Sequence, residues 1–171
     1  MKVLILSDTH GMMEDELKEV TERHRDEAEA IIHCGDSELQ ADDPAVTPMW
    51  IVGGNCDFDS RLPDELVKEA GQHRFFIAHG HLHSVKTTLM NLKYRAQEEG
   101  ATIVCFGHTH IAGTEMNDGI LFINPGSLRL PRTRRERTYA IVELTDSEAT
   151  VMFYDFSGNP LKELEKSFQI A

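Results

Sequence analysis

Five short apolar runs in this chain stop at the same kind of residue. Lys2–Ser7 runs into Asp8-Thr9-His10, Ala30–Cys34 into Gly35-Asp36, and Met49–Val52 into Gly53-Gly54-Asn55-Cys56-Asp57. Phe75–Ala78 runs into His79-Gly80-His81, and Ala101–Phe106 into Gly107-His108-Thr109-His110. Short, continuous runs of Val, Ile, Leu and Phe read as strands of a sheet covered on both faces. In open α/β sheets ligands bind at the carboxyl ends of the strands. Asp, Asn and His at five such ends, beside glycines that let the backbone turn sharply, predict one polynuclear site that the rest of the chain holds in place.

The segments between these runs set the architecture. Residues 14–25 read as a helix: Met13, Leu17, Val20 and His24 recur at helical spacing, with acids early and Arg23 and Arg25 late. Thr87–Glu99 reads as a second helix, with Leu89, Leu92 and Ala96 on one face and Gly100 as its stop. Asp42–Pro48 holds two prolines and reads as a loop. Asp64–Ala70 and Gln72–Ala78 flank Gly71 and pair as a hairpin, with a helical turn over Asp64–Glu69 as the alternative. Asn117-Asp118-Gly119 is a strong hairpin signal between Ile111–Met116 and Ile120–Asn124. Arg137–Leu144 and Ala149–Tyr154 form another hairpin, and the tail after Pro160 reads as a last strand. Units of βαβ type thus come first and antiparallel strands later. That order predicts an α/β chain folded as one domain over residues 1–171, with two packed sheets and helices on their outer faces.

Composition narrows the function. The formal net charge is −12, from 17 basic and 29 acidic residues, which argues against broad electrostatic binding to long nucleic acid or anionic lipid. No apolar run approaches the ~20 residues that cross a bilayer, and the start of the chain shows no signal-peptide pattern. The three cysteines, Cys34, Cys56 and Cys105, are odd in number and widely spaced. They predict a reducing, cytoplasmic setting rather than a disulfide framework.

Asp8 with His10, and His108 with His110, lie two residues apart, so in extended chain their side chains point the same way and could chelate. Taken together, Asp8-Thr9-His10, Gly35-Asp36, Gly54-Asn55, His79-Gly80 and Gly107-His108-Thr109-His110 resemble, in order and spacing, the calcineurin-like metallophosphoesterases, in particular their small single-domain bacterial and archaeal phosphodiesterases. The resemblance runs from Lys2 through Asn124-Pro125-Gly126-Ser127. It implies a four-layer αββα sandwich with two divalent metals at the strand ends. Asp8, His10 and His110 would hold one metal, Asn55, His79 and His108 the other, and Asp36 would bridge them. It implies a phosphodiesterase in which a bridging hydroxide attacks phosphorus in line. Two carboxylates against two divalent ions leave the centre positive and attractive to a small phosphodiester despite the acidic chain. The donor set suits Mn, Zn, Fe or Ni, and the family tips the expectation to Mn2+.

Other residues carry weaker expectations. Many family members have His after Gly-Asn as proton donor to the leaving oxygen, whereas this chain has Cys56 there. A thiol of normal pKa, ~8.5, is a poorer donor at neutral pH. His81, two residues beyond His79, is the candidate donor, with a supporting role beside a ligand as the equal alternative. Arg132, in the arginine-rich loop Arg129–Arg137, is a candidate for steering phosphate. His33 reads as a hydrogen-bonded strand-end residue, Cys34 and Cys105 as core thiols, His24 and His73 as solvated, and His83 as either beside the ligands or exposed. Two rival functions remain: a protein-interaction scaffold on the same fold, resembling a retromer subunit with an incomplete ligand set, and a phosphomonoesterase. A homo-oligomer is compatible with all three.

Overall fold

The computed structural model describes residues 1–170. Eleven strands form two mixed sheets. The first sheet has the order β11-β10-β9-β1-β2-β3, from β1 (Lys2–Leu6), β2 (Ala30–His33), β3 (Trp50–Ile51), β9 (Thr138–Leu144), β10 (Glu148–Asp155) and β11 (Lys166–Gln169). The second has the order β4-β5-β6-β8-β7, from β4 (Glu65–Ala70), β5 (His73–Ala78), β6 (Ile103–Cys105), β7 (Gly113–Asn117) and β8 (Ile120–Asn124). β1, β2 and β3 run parallel, as do β5, β6 and β8, and the remaining pairings are antiparallel.

Strand alternation builds four layers. Val3 and Ile5 of β1 face Phe75 and Ile77 of β5 in a core between the sheets, joined there by Ile103, Cys105, Leu121, Ile123, Ala140 and Val142. The intervening residues point outward. Leu4, Leu6 and Ile141 pack under Leu17 and Val20 of α1 (Glu14–Arg23). Phe76, Val104 and Phe122 pack under Leu92 and Ala96 of α2 (Met90–Glu98). Each sheet is therefore covered on both faces, which is why the strands read as nearly continuous apolar runs. The hairpin over Asp64–Ala78, the hairpin at Asn117–Gly119 and the last strand all form, and the helical turn over Asp64–Glu69 does not.

Four local expectations are corrected. Met13 does not join the buried face of α1: it precedes the first turn and is 67% exposed. His24 and His73 are not solvated, being only 6% and 5% exposed. His24 sits between Glu27, at 2.5 Å, and the hydroxyl of Tyr139, at 2.6 Å. His73 donates from Nε2 to the carbonyl of Thr145 at 2.8 Å. His83 is buried too, its Nε2 2.9 Å from Glu65 Oε1. Local polarity marked these imidazoles for solvent, but burial of a polar group costs little once it is hydrogen-bonded, and Tyr139, Thr145 and Glu65 come from distant segments.

Candidate metal centre

The carboxyl ends of β1, β2, β3, β5 and β6 lie side by side, and their loops supply the predicted residues. The backbone there is not extended. Asp8 and His10 have φ of 54° and 42°, Asp36 and Glu38 57° and 59°, and His108 and His110 71° and 60°. Left-handed backbone is uncommon outside glycine and costs free energy, so three loops that each place it two residues apart mark a functional site. The shared facing of Asp8 with His10, and of His108 with His110, therefore does not come from extended chain. The turn beyond His79 also differs: Gly80 at φ 108° leads into a 3-10 turn over His81–His83.

Backbone hydrogen bonds prolong the β1–β2 pairing into these loops. Asp8, His10 and Gly11 donate to the carbonyls of Gly35, Asp36 and Ser37 at 2.9–3.0 Å. Two glycines are needed for close approach. A Cβ on Gly54 would lie 2.1 Å from Asp36 Oδ1, and one on Gly107 would lie 2.0 Å from Ser7 Oγ and 2.5 Å from Asp8 Oδ2. Ser7 Oγ donates to Asp8 Oδ2 at 2.6 Å, and the His108 amide donates to the same oxygen at 3.1 Å.

The histidine tautomers follow from their partners. His79 Nδ1 lies 2.7 Å from the Cys34 carbonyl and His110 Nδ1 2.6 Å from the Leu130 carbonyl. A carbonyl only accepts, so both Nδ1 atoms carry the proton. His10 Nδ1 faces Glu38 Oε2 at 3.1 Å in the same way. All three rings then turn Nε2 inward. His110 Nε2 is 3.1 Å and His10 Nε2 3.7 Å from Asp8 Oδ1, and His79 Nε2 is 3.1 Å from Asp36 Oδ2. Asp8 Oδ1 and His79 Nε2 are buried without any hydrogen-bond partner. Lone pairs facing carboxylates in this way require a cation or extra protons. The residues thus fit divalent metal, with the outer ring nitrogens oriented as metal-ligating histidines usually are.

Without metal, protons answer the same demand. Burial alone would raise the Asp8 carboxyl, but His10 and His110 outweigh it and hold it well below the usual range. Hydrogen bonding to Asp8 raises His10. Burial pulls His79 down, yet Asp36 and Asp8 leave it above the ordinary imidazole value. The His108 ring forms no ion pair among the described residues and is pushed down to about 4 by burial and by His79.

Asp8, His10 and His110 therefore come together, as do Asp8, Asp36 and His79. His108 stands beside them, its ring 5.1 Å from that of His79. Asn55 is exposed, with Nδ2 3.6 Å from Cys56 Sγ. His81 is half-buried, its ring 5.3 Å from His79 and 6.2 Å from His108. Arg132 is exposed and touches the site only through its amide, which donates to the His110 carbonyl at 3.1 Å. His33 is a hydrogen-bonded strand-end residue, joined to Thr9 and the Gly35 amide and lowered to about 4 by burial.

Two residues to which the sequence assigned no role organise the site. Asp57 accepts the amides of Asp36, Glu38 and Gly54 at 2.7–2.8 Å. Glu38 orients His10. Glu38 repeats two residues after Asp36 the spacing of His10 after Asp8, and that repetition was the available signal.

A two-sheet sandwich with carboxylate and imidazole groups gathered at adjoining strand ends fits the metallophosphoesterase class. The chain belongs to the calcineurin-like phosphoesterase superfamily, whose domain it matches over residues 1–147. It is 52% identical over 165 residues to a probable metallophosphoesterase, YsnB, of Bacillus subtilis, covering 96% of this chain and 97% of that protein. It is 28% identical over 147 residues to the phosphodiesterase MJ0936 of Methanocaldococcus jannaschii, covering 74% and 83%. A predicted phosphoesterase from Streptococcus pneumoniae superposes with a TM-score of 0.93 at 38% identity, covering 98% and 97%. The vacuolar sorting protein Vps29 of Cryptosporidium parvum superposes with a TM-score of 0.77 at 17% identity, covering 99% and 97%, a likeness of fold alone.

Proposed function

We propose that the chain, acting as one domain in the cytoplasm, is a metal-dependent phosphodiesterase that holds two divalent ions, Mn2+ as the first expectation. The observation that carries this reading is the convergence of three Nε2 lone pairs on Asp8 and Asp36, two of the atoms involved being buried and unpartnered. Asp8, His10 and His110 would hold one ion, Asn55, His79 and His108 the other, and Asp36 would serve both. When bound, two such ions activate water for in-line attack and neutralise charge at phosphorus.

The chain's own groups do the remainder. Glu38 and the carbonyls of Cys34 and Leu130 keep the His10, His79 and His110 rings in the ligating tautomer. His81 is the candidate proton donor. Cys56 stands where many family members have the donor histidine, so the site favours esters whose leaving group needs little protonation, such as aryl phosphodiesters. Arg132, exposed and joined by its amide to the His110 carbonyl, is the candidate for steering an incoming anion: among the described residues its guanidinium forms no ion pair, whereas Arg134 and Arg137 are tied to Glu163 and Glu16. Exposed Phe58, Leu82 and Ile111 each follow a site residue closely and offer apolar surface to an aryl group. The naming of MJ0936 as a phosphodiesterase points the same way. A metal-by-substrate panel on purified protein tests the reading. It expects bis-aryl phosphate to be cleaved faster than aryl monoester. A monoester preference above about tenfold, ~1.4 kcal/mol, replaces it with a phosphatase, and no hydrolysis with any metal favours a scaffold.

A further inference from the structure

The thiol of Cys56 lies inside the ring of metal-type donors. One atom each from His10, Asp36 and Cys56 lie within 4.8 Å of one another. The Cys56 amide donates to Asp36 Oδ1 at 2.8 Å, which ties this residue to the carboxylate expected to be shared. Its sulfur accepts from Asn55 Nδ2 at 3.6 Å, a bond that leaves the Asn55 carbonyl oxygen free. Ligands of a tetrahedral zinc, with Zn–S about 2.3 Å and Zn–N about 2.0 Å, stand roughly 3–4 Å apart. The His10, Asp36 and Cys56 atoms therefore need only a small inward movement to share one ion. Independent of the thiol, Asp8 Oδ1 and His79 Nε2 are buried and unpartnered, and Asp8 groups with His10 and His110 and with Asp36 and His79, so the neighbouring donor sets meet the Cys56 set at His10 and Asp36.

We infer that Cys56 is a sulfur ligand of the metal held by Asp8, His10 and His110, rather than a stand-in for the family's proton-donating histidine. The inference rests on the metal-site reading above. On binding, the S–H bond breaks, the proton leaves to solvent and the sulfur lone pair forms the metal bond, with no change of oxidation state. A soft thiolate prefers zinc or cobalt to manganese, so this one residue biases a site whose other donors accept both.

Cobalt reports the bond directly. The purified full-length protein, stripped of metal and reloaded with Co2+, is expected to show thiolate-to-cobalt charge-transfer absorption in the near ultraviolet. That absorption should vanish in Cys56→Ser. Thiol labelling gives a second readout on the unaltered chain. Cys34 and Cys105 are fully buried and Cys56 is partly exposed, so one thiol reacts in the metal-free folded protein and is protected after loading. Cys56→Ser should also weaken Zn2+ about tenfold more than Mn2+, the low end of what even an outer partner of a metal site contributes. Two bound cobalt ions without the absorption band, and with Cys56 labelled at its metal-free rate, overturn the inference while leaving the metal centre standing. Failure of the wild-type protein to bind any cobalt overturns the metal reading itself.

Discussion

The loop after β1 and the loop after β3 both serve the same centre, but they are held in different ways. The first continues the sheet. Asp8, His10 and Gly11 each donate to a carbonyl of the β2 loop, so the ligand positions follow from the ladder that precedes them. The second hangs from one side chain. Asp57 gathers the amides of Gly54, Asp36 and Glu38, and the Cys56 amide on Asp36 adds a further tie to the β2 loop. Burial follows the same division: Asp8 is wholly enclosed and Asn55 is exposed. A site can thus have one half set by backbone and one half set by a replaceable carboxylate.

The largest break in this comparison is at the residue both halves share. Asp36→Asn removes the charge common to the two ions and is expected to cut turnover by about a thousandfold or more, some 4 kcal/mol. A protein with two metals per chain and near-normal turnover would remove Asp36 from the role. Next is Gly107→Ala, whose Cβ would strike Ser7 Oγ and Asp8 Oδ2 and displace the backbone-set half. Metal analysis should show loss of the Asp8 ion. Gly113→Ala meets nothing within 4 Å and should leave both stability and metal content within about 0.5 kcal/mol of wild type.

Asp57→Ala strips three amides of their acceptor and is expected to destabilise the fold by about 2–4 kcal/mol in thermal or urea unfolding. It should also loosen the Asn55–His79–His108 ion before the other, which metal competition can resolve. Equal weakening of both ions would show that the two halves are not independent. His81→Ala is milder. Turnover on alkyl-type leaving groups should drop about tenfold or more beyond any drop on nitrophenolate, since general acid catalysis is typically worth ~10²–10⁴-fold, with metal content unchanged. An equal loss on both esters makes His81 a support for a ligand.

The smallest effect lies away from the centre and serves as its control. Arg95 first, and then His83, lower the Glu65 carboxyl below its ordinary value of 4.5 against the opposing effect of burial. A carboxyl lowered in the folded state adds stability that is fully present above its unfolded pKa and is lost as pH falls through its folded one. Glu65→Gln should therefore cost stability at neutral pH, and the gap to wild type should close in acid. A gap independent of pH would mean that the charge on Glu65 contributes nothing.

Much of this was open to reading along the chain. Alternating and continuous apolar runs mark β1, β5, β6 and β8 because burial on both faces leaves no position for a polar residue. Glycine beside Asp, Asn and His at their ends marks the loops, because those residue types serve turns and ligation alike. The tertiary structure alone decided the rest. Asp8 and His110 meet across a sequence separation of 102 positions at 3.1 Å, and no local pattern encodes that distance. Which nitrogen of His79 faces Asp36 depends on the Cys34 carbonyl, 45 residues away. His24 reads as polar surface until Tyr139 closes over it. The left-handed backbone at Asp8, His10, His108 and His110 is a conformation that only surrounding contacts can impose on such residues. Side-chain periodicity is a short-range property, legible in a window of a few residues. The hydrogen-bond partners that fix a loop, a tautomer or a buried imidazole come from elsewhere in the chain and exist only once the two sheets have packed.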